Sequence, residues 1–377
     1  MPSGSEPGPS ADRRPVGLAA CACLTAHGDT AATVEALRAG RVALTPHPVL
    51  GAEGGDRVPL ALLGPMDEAP EPRWLEPARR LAASIPAGNW GGAREPVIVT
   101  SSNFGVGSLH AFISSRDPRH LAHGPPFAAV DRLAGELGWG GNRHVFSHAC
   151  VTAHLGLLQA ARMLRAGCAD RVLVFSFDCV SPFVAGGFHS LKILNAGMPA
   201  PYQIREFGAI GLGDGLAFAV LTPDAAGPRL EAHVLHNEMF HFTANQPDGG
   251  GFARISEGLA AALDGRRVWI KGHGTGTLEA GRLEAEAFAR AFPDAPLVSW
   301  KGSLGHTLGS CGLVELALAL AAMRTGARTI PGTVGTSGPC FTGNVALAPF
   351  DAAGYDAAVL ASNAFGGAHA AMLLTHV

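Results

Sequence analysis

Three short segments carry residues whose types and spacing could do chemistry. In the first, Phe146-Ser147-His148-Ala149-Cys150-Val151-Thr152-Ala153-His154 leads into Leu155–Arg165, with Gly167 placed to end a helix. Cys150 thus opens a predicted helix, where unpaired amides and the helix dipole favour a thiolate, the nucleophilic form of the side chain. A buried structural cysteine is the other use of such a position. In the second, Lys271-Gly272-His273-Gly274-Thr275-Gly276-Thr277 ends the apolar run Val268–Lys271. A histidine among small residues at a strand's C-terminal end often faces a cleft in α/β proteins, and the glycines let a ligand approach the backbone. The G-x-x-x-x-G-K-[ST] spacing of a phosphate-cradling loop is absent. The third segment, Lys301 to Gly312, places His306 between a strand (Leu297–Trp300) and a helix (Gly312–Thr325). Taken singly, each histidine also reads as an ordinary loop residue. Together, a cysteine and two neutral imidazoles suit acyl transfer: a nucleophile, plus donors for a developing oxyanion.

These residues must be positioned by the elements around them. Short apolar runs, several ending in Gly-rich loops, predict strands at Val16–Leu24, Pro96–Thr100, Arg171–Ser176, Leu216–Leu221, Val268–Lys271, Leu297–Trp300, Ala357–Ala361 and Ala370–His376. Between them lie helical stretches at Thr30–Ala39, Val151–Ala166, Arg254–Leu263, Arg282–Phe292 and Gly312–Thr325. The alternation predicts an α/β protein with largely buried sheets. Pro and Gly clusters at 40–70 and 223–228 mark connections, and the second divides the chain into 16–222 and 229–377, after a disordered tail over 1–15. A weak echo links the halves: Val97-Ile98-Val99 then Asn103-Phe104-Gly105, and Val359-Leu360 then Asn363-Ala364-Phe365-Gly366-Gly367.

Composition removes several function classes. The chain has 377 residues, is 47% hydrophobic and carries a net charge of only -3, which excludes general disorder. No basic block or acidic surplus points to nucleic acid or an anionic membrane. No apolar stretch approaches the roughly 20 residues needed to span a bilayer. Arg13-Arg14 before Val16–Leu24 reads as a first strand rather than a secretory signal, because the run is short and passes directly into a turn. Seven cysteines without a C-x-x-C pair fit a reducing, cytoplasmic setting. Glycine, at 50 residues, is about twice its ordinary usage of ~7%.

In this order and spacing, the three segments resemble the β-ketoacyl synthases, condensing enzymes of the thiolase superfamily. Asp170–Phe177, Ser181-Pro182-Phe183, Gly187-Phe188, Leu191-Lys192, Gly213-Asp214-Gly215 and Phe365-Gly366-Gly367 extend the resemblance over nearly the whole chain from Val16. It implies a thiolase-like α/β/α/β/α layering built from two similar halves. Residue by residue, Cys150 matches the acyl-accepting nucleophile, and His273 and His306 match the two catalytic histidines. Lys301 matches the lysine five residues before the second histidine, and Glu284 the acid that pairs with it. Phe365 matches the gating residue whose backbone N–H completes an oxyanion hole with that of Cys150. Thr275, Thr277 and Gly366 are implied to contact the substrate arm. A histidine as third member implies the elongating, decarboxylating type. The resemblance further implies an acyl carrier protein as partner, with phosphopantetheine arriving on it and no other cofactor or metal, and a homodimer or a heterodimer with a second ketosynthase-like subunit.

Some positions depart from that pattern. Gly281 stands where an Asp is usual, Asn363 replaces a Phe of the C-terminal loop, His369 replaces an Asn, and Val151-Thr152-Ala153 replaces a run of small residues. Three competing readings remain. One is a non-catalytic chain-length-factor-like subunit, which would keep the fold and replace the cysteine. Another is a metal site among His144, His148, Cys150 and His154, or His236 and His241. The last is a thiolase or hydrolase using the same cysteine.

Overall fold

The computed structural model describes residues 14–49, 55–66, 71–224, 226–241, 243–324 and 328–375. Most of the tail expected over 1–15 lies outside them. Arg14 does not belong to such a tail: its Nη2 donates to Arg165 O and Arg165 Nε donates to Arg14 O, both at 2.8 Å.

Ten principal strands fall into two sets of five. The first comprises β1 (Val16–Thr25), β2 (Val97–Thr100), β3 (Arg143–Phe146), β4 (Val172–Asp178) and β5 (Gly215–Thr222). The second comprises β6 (Arg229–Asn237), β7 (Val268–Lys271), β8 (Leu297–Val298), β9 (Ala357–Ala364) and β10 (Ala368–Thr375). Spatial order in the first is β3-β2-β4-β5-β1 and in the second β8-β7-β9-β10-β6, the same order of first to fifth strand. The pairing senses also repeat. In each half the second strand lies parallel to the third and fourth, and the fifth runs antiparallel to the fourth and first. The sheets join where β1 and β6 pair antiparallel at Val16↔Leu230 and Gly17↔Arg229. The Asn-Phe-Gly echo is not the mark of this duplication, since it equates the second strand of one half with the fourth of the other. β3 and β6, which sequence periodicity does not pick out, are largely intermediate in burial and carry charged or histidine side chains among their apolar ones.

Alternation along the strands sorts side chains into layers. Ile98, Val174, Trp269, Ala358 and Leu360 point between the sheets, whereas Val97, Val99, Leu173, Ile270 and Val359 point outward. Between the sheets lie α1 (Thr30–Arg38), α4 (Thr152–Arg165) and α7 (Cys311–Arg324). The outer faces are covered by α2 (Leu75–Ala82) and α3 (Pro126–Leu137) on one side, and by α5 (Gly250–Ala260) and α6 (Leu278–Ala291) on the other. This is the α/β/α/β/α layering. α7 is apolar on all sides and buried almost throughout, as a helix enclosed by two sheets must be. It crosses α4 so closely that a Cβ on Gly312 would lie 2.6 Å from His154 Cδ2. α5 begins four residues before its sequence-expected start, after Gly249 in the left-handed region (φ 71°). Among the described residues no helix is long and apolar enough to cross a membrane.

The middle layer should dominate stability. Leu318→Ala in α7, at a fully buried position, is expected to cost about 3 kcal/mol. Leu235→Ala, at a position 40% exposed, should cost under ~0.5 kcal/mol. Urea-unfolding midpoints of the two variants measure the contrast.

Candidate active site

Equivalent connections of the two halves meet at one cavity of about 210 Å³, lined by Cys150, His273, His306 and Phe365 among others. Cys150 lies in the turn between β3 and α4. That turn is tight: Ala149 has φ 45°, an uncommon conformation for a non-glycine residue. It is held by Thr152, whose hydroxyl accepts from His148 N and donates to Ala149 O, both at 2.6 Å. The sequence reading of a thiolate favoured by the helix start is corrected here. Burial outweighs the helix terminus and pushes the Cys150 thiol well above its ordinary range, with the neighbouring Cys311 adding to the rise.

His306 is pinned at the backbone by its N–H to Gly211 O at 2.7 Å and by Gly213 N–H to its carbonyl at 3.0 Å. Its Nε2 lies 2.9 Å from Cys150 Sγ, across 156 residues of sequence. The His273 ring stands nearly perpendicular to the His306 ring, centroids 5.0 Å apart. Among the described residues both Nδ1 atoms are buried without a hydrogen-bond partner, so the Nε2 edges serve the cavity. Burial, reinforced by Lys301, lowers both imidazoles well below their ordinary range and keeps them neutral.

The pairing of Lys301 with Glu284 expected from sequence is not what the structure shows. Lys301 Nζ donates to Glu315 Oε1 at 2.6 Å, and Lys271 Nζ pairs with the same oxygen. Lys271 also donates to Gly272 O at 2.8 Å. Burial lowers Lys271 to about 8 in spite of Glu315. Burial acts the same way on Lys301, but there Glu315 prevails and holds it above its ordinary range. Glu284 has a different task. Its carboxylate accepts His273 N–H at 2.5 Å, Gly274 N–H at 2.9 Å and the Tyr202 hydroxyl at 2.9 Å, fixing the His273 loop from behind. Gly281 costs that loop no packing, since a Cβ there would make only ordinary contacts.

Glu315 was legible as the one acid inside the apolar stretch from Cys311 to Met323, and Lys271 as an inward position of β7 by alternation. Two further carboxylates brace the cavity. Asp178, at the end of β4, accepts from Ser101 Oγ and from the backbone of Ser102 and Asn103; burial raises it to about 7. Asp214 of the Gly-Asp-Gly segment takes both arms of Arg73, at 2.7 and 3.0 Å. Nothing in the spacing of Arg73 announced this.

Thr275 and Thr277 line the cavity, their hydroxyls 3.2 Å apart. Phe365 lines it too, 38% exposed, with its ring 5.8 Å from that of Phe188. Gly366 follows in the turn between β9 and β10 at φ 85°. The histidines considered as metal ligands do not gather. Among the described residues the convergent donor set is Cys150, His273 and His306, all within 4.8 Å. The 2.9 Å Sγ–Nε2 contact is a hydrogen bond, shorter than the ~3.5 Å that two ligands of one tetrahedral zinc keep.

Residues 230–336 match the β-ketoacyl synthase C-terminal domain. The chain is thus similar to β-ketoacyl synthases, most directly over its C-terminal half. It is 30% identical to the tetracenomycin polyketide synthase ketoacyl synthase alpha subunit of Streptomyces glaucescens, over 57% of this chain and 55% of that one. The match thus spans little more than half of that relative's length. A ketosynthase in complex with its chain length factor, from Xenorhabdus doucetiae, shares the fold at TM-score 0.78 and 19% identity, over 97% of this chain and 98% of the other. So does a type II polyketide ketosynthase in complex with its acyl-carrier protein, at TM-score 0.81 and 16% identity, over 97% and 100%. The thiolase-like fold shared with these structures brings the cysteine and the histidines together from opposite halves.

Glu315→Gln leaves two buried lysines on a neutral amide. The expected loss is about 3–5 kcal/mol, the cost of breaking a buried ion pair from one side. It is read as a lower denaturant midpoint, whereas Glu286→Gln on the surface of α6 should leave that midpoint in place.

Proposed function

We propose that the protein is an elongating β-ketoacyl synthase, joining an acyl group held on Cys150 to a malonyl unit with loss of CO2. The observation that carries this is the 2.9 Å contact of Cys150 Sγ with His306 Nε2, beside His273, in one cavity. In the first half-reaction Cys150 attacks the thioester of an acyl carrier protein. A carbon–sulfur bond forms to Cys150, the carrier's bond breaks, and the thiol proton leaves on the carrier's phosphopantetheine sulfur. His306, donating to Sγ, stabilises the sulfur anion as it forms, which the buried thiol otherwise resists. In the second half-reaction the malonyl C–C bond to the carboxylate breaks and CO2 departs. The N–H groups of neutral His273 and His306 hold the enolate oxygen. The enolate carbon then attacks the acyl-cysteine carbonyl, and the backbone N–H groups of Cys150 and Phe365 hold the oxyanion until the Cys150 bond breaks. Thr275, Thr277 and Gly366 guide the arm.

No metal or organic cofactor enters these steps apart from the phosphopantetheine of the carrier. Partners are the carrier protein and a second subunit, either another copy or a chain-length-factor-like chain. The retained cysteine and both histidines favour the catalytic subunit over the non-catalytic one. Fatty acid, polyketide and aryl polyene assembly all use this reaction. A cytoplasmic setting rests on the cysteine usage of the sequence.

Incubation with an acyl-carrier thioester should add the acyl mass to the intact protein, and Cys150→Ala should abolish the adduct; a persisting adduct sinks the proposal. His273→Ala and His306→Asn should each slow release of CO2 from malonyl-carrier about a hundredfold or more, the scale of a lost oxyanion donor. Because both imidazoles lie well below their ordinary range, decarboxylation should stay level as pH falls from 7.5 to 6, where an ordinary histidine protonates.

A further inference from the structure

Two amides on the cavity wall have hydrogen-bonding capacity that no described residue uses. Asn245 and Asn363 both line the cavity that holds Cys150, and they are 9% and 8% exposed. Asn363 Nδ2 donates to Asn245 Oδ1 at 3.0 Å and faces His369 Nδ1 at 3.3 Å. Behind it, His369 Nε2 lies 3.3 Å from Glu238 Oε2 without hydrogen-bond geometry. Glu238 is itself tied to the neighbouring turn by its N–H to Gly367 O at 2.9 Å, and its Oε1 accepts from Gln246 N–H. The pair is therefore braced from behind. Asn363 Oδ1 and Asn245 Nδ2 have no partner among the described residues, and both residues line the cavity. Exchanging O and N in both amides leaves the same remainder, one acceptor and one donor.

A buried amide that keeps an unused donor or acceptor is costly unless something pairs with it. One acceptor beside one donor complements a hydroxyl, which gives its proton to the first and takes a hydrogen bond from the second. An alkyl chain would leave both amides unpaired. The pair is also close to the sulfur in space: Ala364, next to Asn363, packs in the same cluster as Cys150. We propose that Asn245 and Asn363 select acyl thioesters that carry a hydroxyl near the thioester over plain alkyl ones. This rests on the reading of Cys150 as the acyl acceptor. It makes the pair a specificity determinant for that same site.

The test compares acylation of Cys150, by intact mass over time, with 3-hydroxybutyryl and butyryl groups on the same phosphopantetheine thioester. The hydroxylated group should react about tenfold faster, the discrimination of one net hydrogen bond. Asn363→Leu and Asn245→Leu should each bring the ratio near one, and either variant suffices if the other fails to fold. Equal rates in the unmodified protein overturn the inference. So does a ratio that survives in the variants, including the case where both rates fall together because the amides hold the pantetheine arm. If neither thioester leaves an adduct on Cys150, the acyl-acceptor reading fails, and this inference with it.

Discussion

The structure depends on one constraint: two central helices must start side by side between two sheets. α4 and α7 each follow the third strand of their half, and the duplicated strand order places their first turns together. Cys150 stands just before α4, and Cys311, the first residue of α7, donates its thiol hydrogen to Cys150 O at 3.3 Å. The approach is close enough that Gly312 has no room for a side chain beside His154. With those starts fixed, His306, five residues before α7, comes to the sulfur without a long connecting loop. A wider separation of the helices would leave the cysteine and the histidine on different walls.

The electrostatics follow from the same burial. Everything at the cavity floor is removed from water, so charges survive there only in compact sets, and groups without a partner stay neutral. Lys271, Lys301 and Glu315 form such a set, two cations on one carboxylate oxygen. His273 and His306 face these lysines and lose their own positive charge, which turns them into N–H donors rather than acids. Burial likewise keeps the Cys150 side chain a thiol. Carboxylates outside the floor have mechanical duties instead. Glu284 ties down the His273 loop, Asp178 the loop at Ser101–Asn103, and Asp214 anchors Arg73.

Much of this was legible without coordinates. The cysteine and both histidines stand in segments whose glycines and apolar flanks mark strand-to-helix turns, and the alternation of strands and helices set the fold class. What escaped was the pairing of charges. Lys301 reaches Glu315, on the first turns of α7 between the sheets, rather than Glu284, on α6 over the outer face of the second sheet. Spacing along the chain carries no information on which face of a sheet a distant carboxylate occupies. β3 and β6 escaped because their mixed side chains break the apolar signal; the two similar halves came from the family resemblance, since the duplication lives in strand order rather than in repeated residues.

By itself the sequence determined the chemical inventory: one cysteine at a helix start, two histidines at strand ends, and glycines where backbone must pass close. Residue types and local periodicity fix these, since each depends on neighbours within a few positions. The tertiary structure decided the rest: the 2.9 Å contact across 156 residues, the neutrality of the imidazoles, the shared carboxylate and the braced amide pair on the cavity wall. Each depends on distance and desolvation between segments far apart in the chain. Only the packing of two sheets around α4 and α7 sets those quantities.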